Sequence, residues 1–333
     1  MDLPVMTLQS VRDCMFNPNP ADADPDAVLL LIDLAGFDSI HAGERHAIAD
    51  WLLGQPLPVI GIGIEPSPDT ELSEAADLLV ADESEAVAIV RAVRRNPAAS
   101  GILIQVLRSV PDLPIPQALA IESLGYATLQ GGSEFTRWLE TRPTKSQHKD
   151  IGERPVLMSR KEGHLDITLN SPSNRNALSA PMRDALSEAF KLVDMDASIT
   201  SVDVRGNGPS FSAGGDLTEF GTSRDLAEAH RIRSLRMPAQ YLARCASRCT
   251  FHLHGACIGA GIELPAFAGK LIAHPDTVLR LPEVGMGLIP GAGGCVSITR
   301  RIGRQKTAYM AITGKDVSAR EALAWGLVDA IAG

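Results

Sequence analysis

The stretch FHLHGACIGAGIEL, residues 251–264, reads as a short strand, a turn of small residues and the start of a helix. Amides at a helix N-terminus point outward with partial positive charge. Such a turn can therefore hold a carboxylate, a phosphate or the oxyanion that develops on a carbonyl oxygen. The glycines of GAGIEL are not spaced as a dinucleotide-binding GxGxxG, and no Lys-Ser/Thr follows as a P-loop requires, which sets nucleotide binding aside. Upstream, FSAGGD (211–216) comes directly after the strand-like SVDVRG, and Gly214 and Gly215 let the backbone turn tightly with no Cβ between its amides and a ligand. Two carboxylates lie near the glycine turns: Glu263 in the first helical turn, and Glu283 at the end of VLRLPE before GMGLIPGAGG. A carboxylate pair facing one pocket can hold a water and pass protons as general acid and base. Spacing alone equally allows Glu263 to be a charge favoured by the helix dipole and Glu283 a surface residue before a turn.

Working outward, VLMSRKEGHLDITLN (156–170) alternates about a charged turn as a β-hairpin does. A helix follows, with Ser179 placed to cap it, Pro181 in its first turn and Met182, Leu186, Phe190 and Val193 on one face. KLIAH (270–274) and VLRLPE (278–283) are further strands. On the N-terminal side, AVLLLID (27–33), PVIGIGI (58–64) and ADLLVAD (76–82) are strand-like apolar runs, separated by helical patterns over 45–55 and 84–96. Alternating strands and helices make both halves α/β. Residues 1–26, with NPNPADADPD at 17–26, read as a disordered or turn-rich tail, and the polar TRPTKSQHKDIGERP (141–155) as the region of a linker.

The 333 residues carry 45% hydrophobic and 21% charged side chains, the balance of a globular protein able to bury a core. No apolar run reaches the roughly 18 to 20 residues of a membrane span, and no leader pattern opens the chain, so the expected location is cytoplasmic. Net charge is −9, which disfavours nucleic acid and acidic membranes as partners. The charge is uneven: residues 1–150 hold 10 basic and 22 acidic side chains, residues 151–333 hold 21 and 18. An anionic small ligand suits the second half. Five cysteines form no CxxC pair and have no histidines at zinc-finger spacing, so no metal is expected, and Cys245 and Cys249 read as packing residues. His252 and His254, on the same face of their strand, read as structural hydrogen-bonding residues.

Taken in order, SNRNALS (173–179), FSAGGDL (211–217), HGACIGAGIEL (254–264), LPEVGMGLIPGAGG (281–294) and ITGKDVSAREALAWGLVD (312–329) resemble the enoyl-CoA hydratase/isomerase, or crotonase, family over about residues 154–331. The resemblance implies a crotonase-like ββα spiral over 155–333. It implies that the amides of Gly215 and Ala260 bind the thioester oxygen of an acyl-CoA, with Glu263 and Glu283 holding a water between them. Ala177, Ala213, Gly214 and Asp216 fall in its substrate-binding segments, and the amide of Gly291 lies near the second glutamate's water site. Arg175 and Asn176 stand where the family binds CoA, Arg175 as a candidate for its phosphates. No separate cofactor is implied, since coenzyme A arrives with the substrate, and the family forms trimers and dimers of trimers.

Three departures from the pattern stand out. Ala260 replaces a usual glycine, Pro265 follows Glu263-Leu264 and requires a first-turn position, and the chain stops soon after GLVD, where the family continues into helices that cover the acyl pocket. Residues 113–143 resemble those missing helices, with a Pro-x-Ala-Leu start. Residues 27–143 are accordingly expected to be either a degenerate crotonase-like copy, whose terminal helices cap the site, or an unrelated accessory α/β domain, joined by a linker over 144–154. The leading functional expectation is an enoyl-CoA hydratase. The alternatives are an enoyl-CoA isomerase or other CoA-enolate enzyme, and a non-catalytic acyl-CoA-binding subunit.

Overall fold

A computed structural model describes residues 5–15, 27–34, 40–63, 71–142 and 154–333. The stretch 17–26, residues 64–70 of the IEPSPDTEL turn, and the 144–154 linker apart from Arg154 lie outside the described residues.

The N-terminal half begins with β1 (Val5–Met6), α1 (Leu8–Met15), β2 (Leu30–Asp33), α2 (Ala42–Leu53), β3 (Val59–Ile62), α3 (Glu71–Ala75) and β4 (Leu78–Val80). Its strands form a parallel sheet in the order β1-β2-β3-β4. β1 and α1 correct the tail reading for residues 5–15 alone. Leu8, Val11 and Met15 recur at helical spacing, and Val11 is fully buried among Ile32, Ile48 and Leu52.

Four helices follow: α4 (Glu83–Arg95), α5 (Pro97–Ser109), α6 (Ile115–Gln130) and α7 (Ser133–Thr141). Asp82 caps α4 by accepting from the amides of Ser84 and Glu85. Pro97 opens α5, where a missing amide costs little, and the Glu134 carboxylate accepts from Ala98 and Ala99 at 2.8 and 3.0 Å. That bond ties α7 to the start of α5.

The C-terminal half runs β5 (Val156–Lys161), β6 (His164–Leu169), α8 (Ala180–Met195), β7 (Ser201–Gly206), α9 (Leu226–Arg236), α10 (Pro238–Cys245), β8 (Cys249–Leu253), β9 (Ala256–Ile258), α11 (Ala260–Glu263), β10 (Lys270–Ala273), β11 (Val278–Arg280), α12 (Gly294–Thr313), β12 (Val317–Ser318), α13 (Ala319–Trp325) and β13 (Ala330–Ile331). The antiparallel hairpin β5–β6 joins a sheet ordered β13-β10-β8-β7-β6-β5, and a second sheet is ordered β12-β11-β9. β8 and β9 are consecutive yet lie in different sheets. The chain turns between them at Gly255 (φ 54°), where a methyl group would stand 2.2 Å from the Pro209 carbonyl oxygen. This corner delivers β9 and the turn behind it to the site.

The α8 stripe is buried as its spacing predicts, but Ser179 does not cap it. Its hydroxyl is buried without a partner among the described residues, and the Ala180 amide donates instead to Glu219 at 2.6 Å. A carboxylate brought in by the fold outcompetes the local hydroxyl. Pro265 opens a new 3-10 turn after the single turn of α11, which resolves its tolerance.

One hydrophobic core runs through both halves, from Ile104 and Leu107 on α5 to Ile298 and Ile302 on α12. Polar ties reinforce it. Asn96 donates to the Val284 carbonyl at 2.8 Å, and Asp77, 1% exposed, accepts from Arg304 at 2.8 Å, from Arg108 at 2.9 Å and from the Val59 amide at 2.8 Å. Replacing Asp77 with Ala strands two guanidinium groups. It should lower unfolding free energy by about 3–5 kcal/mol, read from urea denaturation of the full chain.

No helix among the described residues is long and apolar enough to cross a membrane. His164, Asp166 and Asp203 bring ligand atoms within 4.8 Å of one another, but the Arg205 guanidinium already lies 3.4 Å from Asp166 and 3.7 Å from Asp203. His252 bonds Asp203 at 2.7 Å and His254 bonds the Gly208 carbonyl at 3.0 Å, the structural roles expected of them. Cys245 and Cys249 are buried with their sulfurs 3.9 Å apart.

Candidate active site

The two glycine turns quoted at the outset meet. The Ser212 amide donates to Ala256 and the Ile258 amide to Ser212, so the FSAGGD loop runs alongside β9. Gly214 has φ 90°, and a methyl group on it would lie 2.5 Å from the Ile258 carbonyl oxygen and 3.7 Å from the Ala260 nitrogen. Only glycine permits that approach. Among the described residues, neither the Gly215 nor the Ala260 amide donates to a protein acceptor. Both residues line a cavity of about 450 Å³, together with Glu263, Glu283 and Gly291.

The other expected substrate-binding residues form the frame behind this wall. The Ala213 amide donates to the Arg175 carbonyl and the Leu178 amide to the Gly214 carbonyl. Asp216 spends an oxygen on the Thr218 amide and hydroxyl. Ala177, buried, donates its amide to Asn174. The Asn176 side chain is fully buried, donates to the carbonyls of Asn207, Ser210 and Phe211, and accepts from the Ser171 amide. It staples the loop that carries Gly215. Arg175 is exposed, has a left-handed backbone (φ 56°) and forms no ion pair among the described residues.

Glu263 and Glu283 are 2% and 8% exposed, and the fold brings both to Gly259. A methyl group there would stand 2.2 Å from Glu283 Oε1 and 3.7 Å from Glu263 Oε1. Glu263 Oε2 accepts from the amides of Ala292 and Gly294 at 2.7 and 3.0 Å. Those bonds favour its charge, yet burial outweighs them and pushes its carboxyl up to about 7. Glu283 Oε2 is buried without a protein partner among the described residues. Burial first, then the charge of Glu263, holds the Glu283 carboxyl well above the usual range. Two carboxyl groups with unequal environments thus share one end of the cavity.

A third buried acid, Glu122 on α6, was not expected. Its oxygens accept from the amides of Gly293 and Cys295 at 2.7 and 2.9 Å. The four amides entering α12, from Ala292 to Cys295, are therefore divided alternately between Glu263 and Glu122. Burial, and then the charge of Glu263, raises the Glu122 carboxyl well above its ordinary value. The available signal was a carboxylate interrupting the apolar stripe Ala118, Leu119, Leu129 of a helical segment. Glu122→Gln turns an NH2 group toward one of the two amides and leaves it unpaired. The expected loss is about 1–3 kcal/mol of stability, measured by denaturant unfolding.

α6, within the 113–143 stretch, also supplies Tyr126 and Gln130 to the cavity wall. The Tyr126 ring lies against Gly291, where a methyl group would come within 2.3 Å of it. Opposite, α9 contributes Arg233, whose guanidinium stacks 4.3 Å from the centre of that ring.

A family model described as enoyl-CoA hydratase/isomerase matches residues 159–333. The 2,3-dehydroadipyl-CoA hydratase of Escherichia coli is 31% identical over 173 residues, which span 52% of this chain and 67% of that protein. The mevalonyl-coenzyme A hydratase of Beauveria bassiana is 29% identical, over 50% of this chain and 62% of its own length. The chain spans between 58% and 68% of the length of four such curated relatives. Among solved structures, an enoyl-CoA hydratase from Mycobacterium smegmatis aligns with a TM-score of 0.50 and 32% identity, covering 54% of this chain and 71% of that one.

Proposed function

Because this chain belongs to the enoyl-CoA hydratase/isomerase family, with the family's α/β crotonase fold, we propose that it adds water across the double bond of a 2-enoyl-CoA. The observation that carries this reading is the convergence of Glu263 and Glu283 on Gly259, beside the unengaged amides of Gly215 and Ala260. The thioester oxygen accepts from those two amides. Ionised Glu263 takes a proton from water as the water oxygen bonds to the β-carbon, and the electron pair of the double bond moves toward the thioester oxygen as an enolate. Neutral Glu283 then gives its proton to the α-carbon. Two backbone amides favour the charged form of Glu263, whereas the charge of Glu263 raises the Glu283 carboxyl, and this difference supports the division of roles. The proposed chemistry uses side chains, amides and the coenzyme A carried by the substrate, whose phosphates Arg175 would meet at the surface.

The test is to mix purified protein with 2-enoyl-CoAs of several chain lengths and follow loss of the conjugated-thioester absorbance. No turnover with CoA binding intact would refute the hydratase and favour an acyl-CoA-binding subunit. Turnover should also have a pH signature. kcat/KM should rise as pH passes about 7 and Glu263 ionises. Stability should move the other way. A carboxyl whose folded pKa exceeds its unfolded value binds more protons when folded, so stability is full below pH about 4.5 and falls as pH rises through about 7.

The alternative is isomerisation of an enoyl-CoA, in which one carboxyl shuttles a proton between carbons. Glu283, whose Oε2 has no protein partner among the described residues, is the group suited to do so. Product analysis separates the two, since isomerisation shifts the double bond without taking up water.

A further inference from the structure

Three arginines line the cavity, and two of them are neutralised at contact distance. Arg183 lies 3.1 Å from Glu219 and Arg236 lies 3.6 Å from Asp184. Arg233, half-buried, forms no ion pair among the described residues. It donates to two neutral groups, Ser123 Oγ and Gln130 Oε1, each at 3.2 Å, and lies over the Tyr126 ring. Ser123 is held in turn by His230 Nδ1 at 2.8 Å. The acid that bears on it, Glu122, has both oxygens engaged by amides at the start of α12.

A guanidinium withdrawn from water without a contacting counter-ion is costly, and it is retained here by partners that fix its plane without cancelling its charge. Arginine offers five N–H donors in a fixed fork suited to a planar carboxylate. The two bonds to Ser123 and Gln130 leave donors unused. Its position decides what anion it can meet. The Tyr126 ring on which it stacks touches Gly291, whose amide is one of those that lower the Glu263 pKa, so Arg233 sits one ring beyond the reacting carboxylates on the α6–α9 wall. Arg175, the residue proposed for the CoA phosphates, is not among the cavity-lining residues.

Resting on the hydratase reading, we infer that Arg233 is a specificity-determining residue that receives a free carboxylate at the far end of the acyl chain. The substrate class is then a 2-enoyl-CoA whose tail ends in a carboxylate, a half-thioester of an unsaturated dicarboxylic acid. Tyr126 and Gln130 flank that carboxylate, and the α6 helix from the first half of the chain thereby selects the substrate of the second.

The experiment is calorimetric titration of the full chain with unreactive saturated acyl-CoAs. Butanedioyl-, pentanedioyl- and hexanedioyl-CoA are compared with methyl-ended acyl-CoAs of the same chain length and with free CoA, for the native chain and for Arg233→Gln and Arg233→Lys. The native chain should bind at least one carboxylate-ended ligand about 10- to 100-fold more tightly than its methyl-ended counterpart, the effect of a charge-assisted hydrogen-bonded pair. In Arg233→Gln that ratio should collapse to near one. In Arg233→Lys, which keeps the charge and loses the fork, an intermediate ratio should remain, so the idea stays testable if the glutamine variant does not fold. No preference in the native chain, or an equal weakening of all ligands including free CoA in both variants, overturns the inference. Turnover of 2-enoyl-CoAs measured in parallel keeps the two readings apart. Turnover without a tail preference sinks the carboxylate assignment alone, whereas a tail preference without turnover upholds it and sinks the hydratase.

Discussion

Glu263→Gln should lower kcat for hydration of a 2-enoyl-CoA by about 10²- to 10⁴-fold, and Glu283→Gln should do the same within that range. Glutamine keeps the volume at both sites and removes only the proton-transfer chemistry. At position 263 it can still accept from the Ala292 or Gly294 amide, so the loss should fall on kcat more than on KM. At 283 no hydrogen bond to Oε2 from the described residues is sacrificed, which makes that variant the cleaner measure of acid catalysis. The double variant should be little worse than either single one, because the two groups act on the same water and the same addition. Losses that multiply would mean independent roles. A variant with glutamine at either site that retains native kcat would refute hydration by paired carboxylates, and full loss at one site alone would favour the isomerase.

Gly214→Ala should reduce kcat by about 10²- to 10³-fold, the range for losing an oxyanion donor, although residue 214 carries no reacting group. Its φ of 90° is unfavourable for alanine, and the added methyl would sit 2.5 Å from the backbone carbonyl oxygen of Ile258. Backbone on both sides leaves no flexible side chain to yield. Relief requires the two turns to separate, which moves Gly215 and Ala260 apart and spoils a geometry that must fit one oxygen. The unfolding free energy should fall as well, by about 1–3 kcal/mol from the strained backbone. Gly285→Ala is the control, since a methyl group there meets nothing within 4 Å. Loss of stability with unchanged kcat in Gly214→Ala would show that the turns do not jointly hold the oxyanion.

Much of the fold was legible in the chain because its signals are local. The runs LLID, VIGI and LLV form the parallel strands that their apolar character predicts, and Met182, Leu186, Phe190 and Val193 bury the face that their spacing implies. Val11 and its neighbours were passed over for the opposite reason. An eight-residue helix carries too few repeats to stand out beside a stretch rich in proline and aspartate. Ser179 was a sound local cap that lost to Glu219, a competitor supplied from forty positions away in sequence and adjacent only in space. The motif places Asn176 in a substrate-binding segment, and only the fold shows that its side-chain amide serves three carbonyls of the chain itself.

Only the family resemblance singled out Glu263 and Glu283 as a pair; by itself the sequence determined the two glycine turns and the strand before each of them. These follow from backbone conformations that glycine alone tolerates and from periodicities read over a few residues. Only the tertiary structure decided what those groups are chemically. It set Glu263 near 7 and divided the start of α12 between Glu263 and Glu122, and among the described residues it left Glu283 Oε2 without a hydrogen bond and Arg233 without a contacting counter-ion. Desolvation and Coulomb energy depend on separations through space and on distance from water. Neither is encoded in spacing along a chain.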